Sequence, residues 1–176
     1  MEEKTLWEAC VAFHGHACGG LTIGFKAALY AARLLGVSLP PEDEIVCVSE
    51  NDACGVDAIQ RLLSCTAGKG NLLFHMTGKQ AFSFYRRKTG EAVRLVLRPK
   101  PEGMTREESF AYYQAQAPEE MFDVMEPKRP CPEQARLFDS YVCAGCGETM
   151  GANWARVRDG KLYCLDCYPE YDRFHA

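Results

Sequence analysis

Two CxxC pairs near the C-terminus carry the clearest chemistry in the sequence. The first pair ends 17 residues before the second begins; the four residues are Cys143, Cys146, Cys164 and Cys167. A CxxC turn brings two sulfur atoms onto one ion, and two such turns complete the tetrahedron of thiolates that zinc prefers. We therefore predict a closed, structural zinc site that stabilises a small lobe of the zinc-ribbon or treble-clef type, with a hairpin that turns at Asp159-Gly160.

A second group of metal-binding side chains lies near the N-terminus. His14, His16 and Cys18 alternate with other residues, and alternate residues of an extended segment point to the same side. Two imidazoles and a thiolate suit zinc, nickel, copper or ferrous iron, and three protein ligands leave a coordination position open. We predict a second, transition-metal site at these residues, with Cys54 as its candidate fourth ligand.

The same three residues also suit covalent catalysis. Cys18 precedes a predicted helix, whose free N–H groups and dipole lower the pKa of a thiol. His14 or His16 would then act as the base that takes the proton of Cys18. A purely structural interpretation stays open too, in which the histidines cap a turn and Cys18 is a small buried residue.

One glycine-rich turn offers a weaker candidate for anion binding. Residues 68–71 read Gly-Lys-Gly-Asn, and consecutive backbone N–H groups of such a turn can bind an anion. Lys69 would add a positive charge, which makes it a candidate cofactor-binding residue. The segment is not a P-loop, and its interpretation as a simple turn stays open.

Hydrophobic periodicity predicts the elements that must position these groups. We expect helices over 5–13, 21–35, 56–64 and 105–116, and strands over 44–49, 72–76, 81–85 and 92–98. Turn residues around Gly78 and Gly90 predict hairpins that join the last three strands. The expected fold class is α+β, with helices and an antiparallel β meander, followed by the small zinc lobe.

The length and the prolines predict how the chain is organised. A chain of 176 residues has room for one domain and a small appendage. Three prolines between positions 127 and 132 mark a linker. We predict an α+β core domain over 1–125, a Pro-rich linker over 126–140 and the four-cysteine zinc-binding lobe over 141–176.

Charge and hydropathy limit the function classes. The net charge is −4, and no segment is strongly basic, so we do not expect a nucleic-acid partner. No apolar stretch is long enough for a membrane helix, and the N-terminus does not resemble a secretory signal. Ten cysteines in such a chain are expected to stay reduced, which favours a cytoplasmic protein.

Four ordered blocks resemble the FmdE family of proteins associated with formylmethanofuran dehydrogenase. The blocks are Phe13-His14-Gly15-His16-Ala17-Cys18-Gly19-Gly20-Leu21, Cys54–Gln60, Cys65–Leu72 and Gly78–Phe82. The C-terminal segment resembles the four-cysteine zinc lobe that many members of the family append. One departure is Gly19, where the family usually has proline. The resemblance implies an α+β protein that forms a homodimer, with the His and Cys block lining a cleft.

The resemblance also implies a function. It favours a metal-binding accessory protein whose His/Cys cleft handles a metal, or a molybdenum- or tungsten-cofactor precursor, for a partner enzyme. This chain has no motif for a pterin or an iron–sulfur cluster. Two alternatives stay open: an enzyme that acts on a small molecule through Cys18 or a cleft metal, and a regulatory or adaptor protein that acts through the zinc lobe.

Overall fold

The computed structural model describes residues 2–168 and residue 170. Its contacts divide the chain into two units, Met1–Ala135 and Arg136–Ala176. The three-part organisation expected from the sequence stays a prediction. Residues 129–133, which that prediction assigns to the linker, contact the sheet of the first unit through hydrogen bonds to Tyr85 and Arg87.

Three helices of the first unit surround the candidate His and Cys residues. They are α1 (Glu3–His14), α2 (Gly19–Leu34) and α3 (Gly55–Leu63). Helix α1 ends at Gly15, whose φ of 94° is open to a glycine and whose N–H donates to the Val11 carbonyl. Helix α2 begins directly after Cys18, whose sulfur accepts a hydrogen bond from the Leu21 N–H. The two helices are therefore joined by a short connection of defined geometry.

The first unit contains a five-stranded sheet. Its strands are β1 (Ile45–Ser49), β2 (Leu72–Phe74), β3 (Ala81–Arg86), β4 (Ala92–Leu97) and β5 (Phe122–Met125), in the order β2-β1-β3-β4-β5. Strands β1 and β2 are parallel and are connected through α3, whereas the other pairs are antiparallel. The fold is therefore α+β, as the sequence predicts.

The predicted hairpin between β2 and β3 is wrong, because β1 lies between these two strands. The turn at Gly78 (φ 75°) instead folds over the end of β1, where the N–H groups of Thr77 and Gly78 donate to the Glu50 carbonyl. The hairpin at Gly90 is confirmed, since β3 and β4 pair directly across it.

The helices cover one face of the sheet. Phe82 and Phe84 of β3 are fully buried in the main core with Leu21 of α2 and Ile59 of α3. Tyr85 alternates with these residues and packs on the other face, in a separate cluster with β1 side chains. Helix α4 (Arg106–Ala115), which begins with a capping box at its N-terminus, and the short α5 (Pro118–Met121) precede β5.

The second unit consists of two small hairpins. Strands β6 (Ser140–Val142) and β7 (Thr149–Gly151) form the first, and β8 (Arg156–Arg158) and β9 (Lys161–Tyr163) form the second. The second hairpin turns at Asp159 (φ 50°) and Gly160 (φ 71°), as predicted from the sequence. Across the part of the chain that the structure describes, no helix has both the length and the apolar character needed to cross a membrane.

Candidate metal centres

The connection between α1 and α2 brings His14, His16 and Cys18 together. One donor atom from each residue lies within 4.8 Å of the others, and the imidazole centroids of His14 and His16 are 4.6 Å apart. His16 is exposed, whereas Cys18 is buried. The predicted clustering of these three side chains is therefore present, and one of them faces solvent. Whether they bind a metal or carry out catalysis stays a prediction.

A carboxylate from α3 orients His14. Nδ1 of His14 lies 2.7 Å from Oδ2 of Asp57, and Oδ1 of Asp57 accepts a hydrogen bond from the Gln60 amide at 3.2 Å. Because Nδ1 donates its proton to the carboxylate, the lone pair of Nε2 is available on the side where Cys18 Sγ lies, at 3.8 Å. A histidine that binds a metal commonly has such a carboxylate partner.

Sequence reasoning missed Asp57 and Gln60 as parts of this site. Both occur in the second block, three and six residues after Cys54. The spacing of three within a helix places the two side chains on the same face. That spacing, combined with the FmdE-like block, was the signal that pointed to them.

Glycines allow α2 and α3 to pack closely beside the cluster. A Cβ atom added to Gly24 would overlap the carbonyl of Gly55, so the two backbones are in direct contact here. A Cβ added to Gly20 would lie 3.1 Å from Cys54 Cβ and 4.0 Å from Cys18 Sγ. This packing places the start of α3, with Cys54 and Asp57, beside the start of α2.

Cys54 lies next to the cluster but is not one of its three mutually close donors. It directly precedes α3, and burial, followed by the neighbouring Cys18 thiol, raises the pKa of Cys54. Its donor atom is not in the group whose members all lie within 4.8 Å of one another. The role of Cys54 as a fourth ligand stays a prediction.

Lys69 lies apart from the cluster. It sits in an exposed turn and lines a cavity of about 290 Å³ whose other side chains include Glu42, Asp43 and Glu44. This cavity shares no lining residue with the His14, His16 and Cys18 cluster. The acidic surroundings disfavour an anion, and the cofactor-binding role of Lys69 stays a prediction.

The four cysteines of the second unit also lie together. One sulfur from each of them is within 4.8 Å of the others. A Cβ added to Gly145 would lie 2.7 Å from the Cβ of Cys167, and Gly147 has a φ of 78°, so both glycines are needed for the turn around the sulfurs. The cluster can therefore hold a metal ion such as zinc.

The hydrogen bonds of this cluster favour a thiolate. The N–H groups of Cys164 and Gly145 donate to Cys143 Sγ at 3.2 and 3.3 Å. Backbone hydrogen bonds, that of Cys164 first, lower the pKa of the Cys143 thiol to about 6. The neighbouring thiols, that of Cys164 first, raise the pKa of Cys167 to about 12. Ionisation of all four thiols therefore requires a cation among them.

Comparisons with known proteins agree with this architecture. A family profile described as "FmdE, Molybdenum formylmethanofuran dehydrogenase operon" matches residues 13–136. The crystal structure of an FmdE-like protein of the tungsten formylmethanofuran dehydrogenase type, from Syntrophus aciditrophicus, is similar, with a TM-score of 0.70 and 27% identity. The similarity covers 95% of this chain and 92% of that chain.

A relative from Archaeoglobus fulgidus extends the comparison. It is described as a probable S-adenosyl-L-methionine-binding protein and is 27% identical over 191 aligned positions. The alignment covers 90% of this chain, which spans only about half (51%) of the relative. Because the family profile matches more than half of the sequence, this chain belongs to the FmdE family.

Proposed function

We propose that this chain is a metal-binding accessory protein in which His14, His16 and Cys18 hold a transition-metal ion for a partner enzyme. The observation that carries the proposal is the convergence of three donor atoms beside a histidine that Asp57 orients. Three protein ligands leave an open position, at which the ion can exchange or bind a further ligand.

The two metal centres would have different roles. Four thiolates form a closed site, so we assign structural zinc to the four-cysteine cluster. The N-terminal cluster has fewer ligands and an exposed His16, which suits an exchangeable ion. In this function the protein would act in the cytoplasm as a homodimer that works with a partner enzyme.

The cargo belongs to the same proposal. The family profile names a molybdenum formylmethanofuran dehydrogenase operon, and the solved relative is described as an FmdE-like protein of the tungsten enzyme. These descriptions favour a metal, or a molybdenum- or tungsten-cofactor precursor, as what the cleft handles. A precursor ligand would complete the open coordination position beside His16.

Metal stoichiometry tests this function. Wild-type protein incubated with excess zinc and then dialysed should retain about two ions per chain, whereas His16→Ala should retain about one. Cys131→Ser, which removes an exposed cysteine outside both clusters, is the matched control and should retain about two. A wild-type protein that holds only one ion per chain under these conditions contradicts the proposal.

A thiol enzyme is the second candidate, because Cys18, His14 and Asp57 also form a Cys–His–carboxylate series. The distances along it are 3.8 Å from Cys18 Sγ to His14 Nε2 and 2.7 Å from His14 Nδ1 to Asp57 Oδ2. In this function His14 would take the proton of Cys18, and Asp57 would stabilise the resulting imidazolium. Turnover of a small molecule by metal-free protein, lost in Cys18→Ser, would favour this candidate over metal handling.

A further inference from the structure

A cavity of about 450 Å³ lies on the sheet face that the helices leave uncovered. Its floor is formed by Val48 of β1 and by Ser83 and Tyr85 of β3, which alternate along their strands with residues of the main core. Its walls come from the β2–β3 connection and from the segment after β5. The cavity shares no residue with the His14, His16 and Cys18 cluster.

The wall after β5 is attached to β3 by several hydrogen bonds. The Tyr85 hydroxyl donates to the Arg129 carbonyl at 2.9 Å, and Arg87 donates to the Pro132 and Glu133 carbonyls at 2.6 and 3.1 Å. The Arg129 guanidinium lies 3.2 Å from Nε2 of His75 in the opposite wall. These bonds hold both walls in place around the floor, so the cavity is a built feature of the fold.

The charges around the cavity are mainly positive. Lys79, Lys128 and Arg129 line it, and each is exposed to solvent. Among the described residues that line it, the one carboxylate is Glu50, which binds the buried Arg94 at 2.6 Å. The Thr77 hydroxyl also donates to this carboxylate, at 3.0 Å. Because Arg94 balances Glu50, the lysines and Arg129 give the opening a net positive charge that attracts an anion.

We infer that this cavity binds a small organic phosphate. Ammonium, guanidinium and hydroxyl groups are the donors that bind phosphate oxygens, and here they stand around one opening. Val48 and the Tyr85 ring give the floor an apolar surface for the organic part of the ligand. The volume is within the range of ligand-binding pockets. This inference does not depend on the proposed metal-handling function.

Calorimetric titration of the full-length protein with phenyl phosphate and with inorganic phosphate tests the inference. Phenyl phosphate should bind at one site with a dissociation constant below about 1 mM, and more tightly than inorganic phosphate. Lys79→Gln and Lys128→Gln should each weaken binding about tenfold, because each removes one cation from the opening. Both side chains are exposed, so these variants should fold normally.

Two further variants show whether phenyl phosphate binds in this cavity or elsewhere on the protein. Lys88→Gln removes an exposed lysine whose partner is Asp43, outside the cavity, and should leave the affinity unchanged. His16→Ala should also bind phenyl phosphate normally, because the metal cluster is separate. Absence of saturable binding, equal loss in Lys88→Gln, or loss in His16→Ala would overturn the inference.

Discussion

His14 Nδ1 lies 2.7 Å from Asp57 Oδ2, although 43 residues separate the two in the sequence. The contact joins the last residue of α1 to the first turn of α3. It fixes which imidazole nitrogen faces Cys18, and so it links the packing of the helices to the chemistry of the cluster.

Asp57→Asn should weaken metal binding at the N-terminal cluster while all three ligands remain. Loss of the carboxylate makes His14 less basic and less well oriented, so affinity should fall roughly 10- to 100-fold. Competition with a chromophoric zinc chelator measures this change. Asp52→Asn, at an exposed carboxylate in the turn before α3, is the control. Equal affinity of Asp57→Asn and wild type would show that the contact does not support a metal ligand.

Gly24→Ala should disrupt the packing of α2 against α3. The added methyl group would overlap the Gly55 carbonyl, and because both atoms belong to closely packed helices the conflict cannot be relieved by a side-chain rotation. The free energy of unfolding should fall by about 3 kcal/mol, measured by urea denaturation. Gly68→Ala is the control, since a Cβ there meets nothing within 4 Å. A stable Gly24→Ala protein would mean that the helices are farther apart.

Glu50→Gln should destabilise the protein in a pH-dependent way. The hydrogen bond from Arg94 lowers the pKa of Glu50, so its carboxylate stabilises the fold at neutral pH and loses this effect as the pH falls through its folded-state pKa. The variant leaves Arg94 buried without its charged partner, which should cost about 3 kcal/mol at neutral pH. Urea denaturation between neutral and acidic pH should show the difference from wild type shrinking as the pH falls.

The exposed pair of Arg98 and Asp123 provides the control for that experiment. Asp123→Asn should change the free energy of unfolding by less than about 1 kcal/mol. A Glu50→Gln effect as small as this, or one that grows with acidity, would contradict the account of the buried pair.

Thiol alkylation should distinguish the core cysteines from Cys18. Burial raises the pKa of Cys10 to about 11 and that of Cys65 to about 12, and it raises the pKa of Cys47 well above its usual value. These three thiols should not react with iodoacetamide in the folded protein, whereas the exposed Cys131 should react readily.

The same experiment tests the cluster when it is carried out in a Cys131→Ser background. Cys18 should react after chelation and be protected when zinc is added, because the sulfur would then bind the metal. Adducts are mapped by mass spectrometry. Labelling of Cys18 at the same rate with and without zinc would argue against its role as a ligand.

Local patterns allowed much of the fold to be predicted. The periodicity of α2, the turn at Gly90 and the hairpin at Asp159-Gly160 all depend on residues close in sequence, and the structure confirms them. The place of β2 could not be predicted in this way, because the choice between β1 and β3 as its neighbour depends on how α3 packs. Strand order is a property of tertiary packing rather than of local periodicity.

The same limit applies to the functional groups. His14, His16 and Cys18 were found from their spacing because they occupy one short segment. Asp57 joins them only through the contact of α1 with α3, and the basic cavity combines residues from Val48 to Arg129. Groups so far apart in sequence are brought together only by the sheet and by the segment that crosses it.

X-ray absorption at the zinc edge tests the central claim most directly. In a Cys143→Ser/Cys146→Ser protein, which lacks half of the four-cysteine site, bound zinc should report the N-terminal cluster. The account predicts one sulfur ligand at about 2.3 Å and two nitrogen ligands at about 2.0 Å, and loss of the sulfur shell on Cys18→Ser. A zinc shell without sulfur before that substitution, or no retained zinc at all, would contradict the assignment of His14, His16 and Cys18 as a metal site.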